Sequence, residues 1–134
     1  PFDGAEYDYY TTTKGVLEKV KAHVGDVDFA VQPEILSLLS SGNFGRYADE
    51  KGEMKVCFIS NNDITGGNSG SAMFNSKGEL LGLAFDGNWE AMGSDILYEP
   101  KMQRTIGVDV RYILFMIEKY GKAGNLIQEL NILN

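Results

Sequence analysis

A chain of 134 residues, 43% hydrophobic and 23% charged, has the length and balance of one globular domain built on a single core. None of its apolar runs approaches the roughly 20 residues that a membrane helix needs. Its 12 basic and 19 acidic side chains give a net charge of −7, a field that repels a phosphate backbone and argues against nucleic acid as a partner.

The first half of the chain reads as helical. Thr13 is a candidate cap for a helix whose apolar face carries Val16, Leu17, Val20 and Val24, weakened by Gly15. Pro33 suits a first helical position, Ile35, Leu36 and Leu39 share a face, and Gly42 ends the segment, which predicts a short helix over Pro33–Ser41. The middle changes character. The run Lys55–Ser60 is short, partly β-branched and bounded by turn residues, so it reads as a strand. Its single cysteine, Cys57, has no partner for an internal disulfide and sits among Val56, Phe58 and Ile59 as a core thiol would. "SAMF" and "ELLGLAF" flank "NSKG", whose Asn75 and Gly78 supply hairpin chemistry. "RTIGVDV" predicts a further strand. Asp109 then caps a helix with Val110, Ile113, Leu114, Ile117 and Tyr120 on one stripe, closed by Gly121. A last helical segment has Asn125 as cap, Gln128 reaching back, and Leu126, Ile127 and Leu130 buried. There is no internal repeat and no low-complexity tract.

The chemistry concentrates between Asp63 and Trp89. In "NNDITGGNSGSAMF" a serine stands among Gly66, Gly67 and Gly70. Acyl transfer to a serine needs backbone amides aimed at the oxygen that becomes negative in the transition state. Gly67 has no side chain to obstruct its amide, the amide of Ser69 can point the same way, and the Ser69 hydroxyl can act as nucleophile. A structural glycine-rich turn leading into a strand has the same appearance. A phosphate cradle fits less well, since Gly70 is followed by Ser71 and Ala72 where a P-loop requires Lys and then Ser or Thr. One His, one Cys and scattered acids show no metal-ligand spacing, so neither metal nor other cofactor is expected.

The segments "NNDITGGNSGS", "GELLGLAFDGNWEAM", "DILYEP", "QRTIGVDVRYILFMIEKYG" and "LIQEL" together resemble the C-terminal end of the bacterial serine dipeptidyl peptidases, the dipeptidyl-peptidase 7 and 11 family. The resemblance covers Glu6–Tyr10 and then runs from Phe44 to the end; Glu18–Val31 has no clear counterpart. It implies an α+β fold: part of a chymotrypsin-like C-terminal β-barrel with flanking helices, including a C-terminal helix pair. Residues 1–134 would be a single piece, with 1–52 a mainly helical lead-in, 53–109 the barrel strands and nucleophile loop, and 110–134 the C-terminal helices.

By the same resemblance, Ser69 matches the nucleophile, Gly67 and Ser69 the oxyanion-hole amides, and Asp86 an acid that holds the substrate's α-ammonium group. Gly87 matches the position where acid-preferring members carry Arg, which implies a pocket for a hydrophobic second residue. Two departures affect only local backbone: Ala72 stands where Pro is usual, and Gly93–Ser94 inverts the usual order.

A nucleophilic serine needs a base, and His23 is the chain's one histidine. It precedes Ser69, as it would in a double-barrel protease, but "KVKAHVGD" reads as a helix end where a cationic His is favoured. With no Met at Pro1, the chain is read as a piece of a longer exopeptidase, inactive alone because base and orienting acid lie upstream. The parent is expected in the bacterial periplasm or at the cell surface, as a homodimer acting on peptides; the piece itself should self-associate through unpaired strand edges. The alternative is a non-catalytic module that binds peptide N-termini around Asp86. Phe85 and Trp89 could touch peptide in either case, although aromatics beside a strand commonly belong to the core. Tyr7, Tyr9 and Tyr10 read as packing onto the strands.

Overall fold

The computed structural model describes residues 8–93 and 99–133. Its described residues fall into two compact units: one holds the chain up to Thr11 together with Val56–Val110, the other holds Thr12–Lys55 and the chain from Arg111 onward.

The first unit is a sheet. Strands β1 (Tyr10–Thr12), β2 (Lys55–Ser60), β3 (Ala72–Phe74), β4 (Leu80–Gly87) and β5 (Thr105–Asp109) lie in the order β1-β2-β5-β4-β3. The pairs β2 with β5, β5 with β4 and β4 with β3 are antiparallel. The α+β class is as expected, and the sheet is open. β2 coincides with the predicted strand, because a β-branched run between Gly and Asn breakers specifies both ends locally. The β3–β4 hairpin turns as its sequence predicts. The Asn75 side-chain oxygen accepts from the amides of Lys77 and Glu79, and Gly78 takes the left-handed conformation, φ 78°.

Cys57 is half-buried in β2, and burial, more than any other influence, pushes its thiol up from the ordinary value. Ala72 opens β3 opposite Leu83. Tyr9 is exposed; its ring packs edge-on against Tyr10, and its carbonyl accepts from the amide of Ile59. Tyr7 lies outside the described residues, as does Ser94 of the inverted pair.

The second unit is helical: α1 (Thr13–Ala22), α2 (Pro33–Ser40), α3 (Val110–Phe115) and α4 (Gly124–Gln128), with a π-turn over Met116–Tyr120. The α1 cap is Thr12, one residue before the expected Thr13, which is itself buried. Val24 lies beyond the end of α1 and is 86% exposed, so the expected stripe stops at Val20. α2 agrees with its Pro33 start.

After α3 the stripe departs from expectation. α3 buries Leu114 and Phe115, and the wider π-turn then shifts the register, leaving Tyr120 exposed. Gly121 closes the helical run as expected, its amide donating to the Met116 carbonyl, and the left-handed residue is the next one, Lys122, φ 53°. Ala123, not Asn125, occupies the cap of α4, and no side chain bonds there. Phe115 is the centre of this unit, fully buried, with the rings of Phe44 and Tyr47 packed edge-on at 5.7 and 6.0 Å.

Candidate active site

The glycine-rich loop between β2 and β3 is built by Asn68. Its side-chain oxygen accepts from the amide of Thr65 (2.9 Å) and the Thr65 hydroxyl (3.2 Å), while its own amide donates to the Thr65 carbonyl. Gly67 (φ 93°) and Gly70 (φ 87°) sit on either side in conformations that a residue with a Cβ adopts only under strain. The loop is then tied to β4: the Gly70 amide donates to the Ala84 carbonyl at 2.7 Å, and the Ala84 amide to the Ser71 carbonyl at 2.9 Å.

A specific set of amides is left over. Those of Asn68, Gly70 and Ser71 are engaged, whereas those of Gly66, Gly67 and Ser69 donate to no acceptor among the described residues. Gly67 and Ser69 are both exposed. The Ser69 hydroxyl donates to the carbonyl of Phe85, 3.3 Å away.

Phe85 is placed there by an irregularity in β4. Ala84 pairs with Gly107 and Asp86 with Ile106, so Phe85 is the extra residue of a bulge. Bulges re-aim side chains and recur beside active sites. Phe85 and Trp89 are 46% and 84% exposed, which overturns the reading of them as core aromatics. Asp86 is exposed; its carboxylate accepts from the Gly87 amide at 2.8 Å, and among the described residues no basic side chain pairs with it. Ser69, Phe85, Asp86 and Gly87 therefore lie together along one bulged strand and its anchored loop.

His23 is placed differently. It belongs to the helical unit, and its ring stacks on Phe29 at 4.0 Å with planes 12° apart. Among the described residues no group of three or more His, Cys, Asp or Glu could hold a metal, and no helix is long and apolar enough to cross a membrane. Sequence reasoning passed over Ile64, Ala91 and Arg104, which lie around Gly87; the signal was a glycine at a strand end.

Fold and loop define an α+β protein in which a glycine-framed serine is presented beside a bulged antiparallel strand. The chain belongs to the Peptidase S46 family, which matches residues 1–132. It is 61% identical to dipeptidyl-peptidase 7 of Porphyromonas endodontalis over 98% of this chain and 16% of that protein. Against the Asp/Glu-specific dipeptidyl-peptidase of Capnocytophaga gingivalis the identity is 45%, over 99% of this chain and 18% of that protein. The crystal structure of Porphyromonas endodontalis DPP11 in complex with substrate superposes with a TM-score of 0.89 at 43% identity, covering 96% of this chain and 19% of that one. The chain thus spans less than a fifth of the length of these relatives. The similarity extends through Glu18–Val31, where motif resemblance stopped.

Proposed function

We propose that this chain carries the nucleophile and amine anchor of a serine exopeptidase that releases dipeptides from free peptide N-termini. The observation that carries the reading is that the amides of Gly67 and Ser69 are unengaged among the described residues on either side of Asn68, whose own amide is held, with Ser69 exposed beside them. When the hydroxyl adds to a peptide carbonyl, the negative oxygen that forms is received by those amides, which need no reorganisation at that moment.

Asp86 supplies the counting device. A carboxylate fixed at a set distance from the nucleophile holds the substrate's ammonium group and so places the bond after the second residue at Ser69. Gly87 adds no charge, which favours a hydrophobic second residue over one whose carboxylate would be buried without a partner. The relatives include proteins named dipeptidyl-peptidase 7 and proteins named Asp/Glu-specific dipeptidyl-peptidase, and identity is higher to the former.

The general base and its orienting acid come from sequence outside these 134 residues, since the one histidine is stacked on Phe29. In the whole protein the open sheet forms part of a chymotrypsin-like barrel. We further assign the whole protein to the bacterial periplasm or cell surface, as a homodimer.

The test is dipeptide release by the whole protein from peptides with free or blocked N-termini and Leu or Asp at the second position. Release confined to free N-termini, favouring Leu and lost in Ser69→Ala, supports every part of the reading. Activity retained in Ser69→Ala makes the loop a structural turn, and a protein that binds free N-termini without cleaving them is a binding module.

A further inference from the structure

Gly87 ends β4 opposite Thr105, with a backbone outside the left-handed region, so any residue could adopt its conformation. Space is what excludes a side chain. A Cβ at this position would stand 2.9 Å from the Cβ of Ala91, 3.5 Å from Cγ2 of Ile64 and 3.8 Å from the Arg104 carbonyl. Ala91 has no flexible end to swing away, so relief requires the backbone of the 3-10 turn Trp89–Gly93 to move.

That turn is pinned by Asn88. The Asn88 amide donates to the Arg104 carbonyl (2.9 Å), and its side-chain oxygen accepts from the Arg104 amide (2.8 Å). Its side-chain NH2 donates to the Met102 carbonyl (2.9 Å) and to the Glu90 carboxylate (2.7 Å). The Asn88 carbonyl then accepts from the amide of Ala91 at 2.9 Å, which fixes the blocking methyl relative to β4 and β5.

We propose that Ala91, positioned by Asn88, is a specificity-determining residue: its methyl fills the side-chain space of position 87 and so holds the site in its uncharged form. The proposal rests on the reading of Gly87 as part of the pocket for the second substrate residue. To take Asp or Glu there, the pocket needs a cation able to grip a carboxylate, for which a guanidinium at position 87 is suited. With Ala91 in place an arginine can enter only by displacing the turn, so acid preference requires two changes, at 87 and at 91.

The experiment uses the whole protein with Gly87→Arg, Ala91→Gly and both together. kcat/KM is measured on free N-terminal peptides with Leu or Asp second. Gly87→Arg alone is expected to lose activity on Leu peptides without gaining it on Asp peptides. Adding Ala91→Gly should raise the Asp-to-Leu ratio at least about tenfold above that of the single variant, as a newly paired carboxylate would. A full switch by Gly87→Arg alone, unaffected by Ala91→Gly, overturns the proposal.

A second cycle, Gly87→Ala with and without Ala91→Gly, reads the packing itself through the unfolding midpoint. Gly87→Ala should lower the midpoint, and Ala91→Gly should reverse that loss; strictly additive shifts overturn the proposed contact. A wild-type protein that releases no dipeptides, yet shows this coupling, would sink the functional reading and leave the packing between positions 87 and 91 intact.

Discussion

Asp86 is the residue whose role is most exposed to test. Among the described residues its carboxylate is engaged only by the amide of the residue after it, a bond that fixes its direction and leaves its charge open to a ligand. Asp86→Asn keeps the shape and removes the charge, so a charge-assisted bond of about 1.5–3 kcal/mol to the ammonium group is weakened. In the whole protein kcat/KM on free N-terminal peptides should fall roughly tenfold to a hundredfold. The loss should come with little change in unfolding midpoint, since among the described residues no basic side chain pairs with that charge. Equal kcat/KM in the variant would remove Asp86 from the site. Ser69 was legible as a candidate, because a glycine-framed serine is a local pattern, whereas Asp86 drew its proposed role from the family resemblance. The exposure of Phe85 was not legible, since it goes with a bulge in the pairing of β4 with β5 across some twenty residues of chain.

Among the elements, β4 and β5 depend on two interior glycines. A Cβ at Gly82 would lie 2.0 Å from the Val108 carbonyl and 2.9 Å from the Phe58 ring, and one at Gly107 2.6 Å from the Met73 sulfur and 3.0 Å from the same ring. Phe58 therefore lies against bare backbone on both strands. Gly82→Ala cannot be absorbed by a rotamer change, because the first obstacle is a ladder carbonyl. It should cost about 3 kcal/mol or more in denaturant unfolding; an unchanged midpoint would show that the strands can separate at no cost.

In the helical unit, the Tyr47 hydroxyl donates to the Glu118 carboxylate, and Lys119 pairs with Glu118 at 2.7 Å. Burial first, and then the Glu118 bond, push Tyr47 from 10.0 up to about 12. A raised folded-state value means that this contribution to stability is complete below about pH 10 and is lost as pH rises towards 12. Glu118 is held low by Lys119 and Tyr47, so its contribution is present above its ordinary value of 4.5 and fades as pH falls below it. Tyr47→Phe should flatten the alkaline limb of a stability-against-pH curve, and an alkaline limb of unchanged steepness would contradict the assignment. The helical stripe that runs towards Glu118 was visible in the sequence. The π-turn was not, because a pattern spaced for 3.6 residues per turn carries no mark of the place where the backbone widens.

For the whole molecule, the expectation concerns these 134 residues on their own. The sheet ends in a three-residue edge strand, β3, whose Phe74 is exposed, and an unpaired edge is a template for another strand. On the proposal that the base comes from outside these residues, the isolated chain should show no dipeptide release, and it should elute as dimers or larger species in sizing experiments. A monodisperse monomer would count against the edge argument, and measurable dipeptide release would place a base within this chain.

The sequence by itself determined the features that neighbours along the chain specify. These are the strand Lys55–Ser60 between its breakers, the Asn75–Gly78 hairpin, the Pro33 helix start, and a loop whose glycines could turn amides towards one point beside Ser69. Each rests on short-range sterics and hydrogen bonding, which a few consecutive residues fix. Tertiary structure alone decided that Phe85 is the bulged residue whose carbonyl meets the Ser69 hydroxyl, that Phe58 spans Gly82 and Gly107, and that Ala91 fills the space at Gly87. Those outcomes depend on register and close packing between strands distant in sequence, and packing at that density is settled only when all the partners are in place.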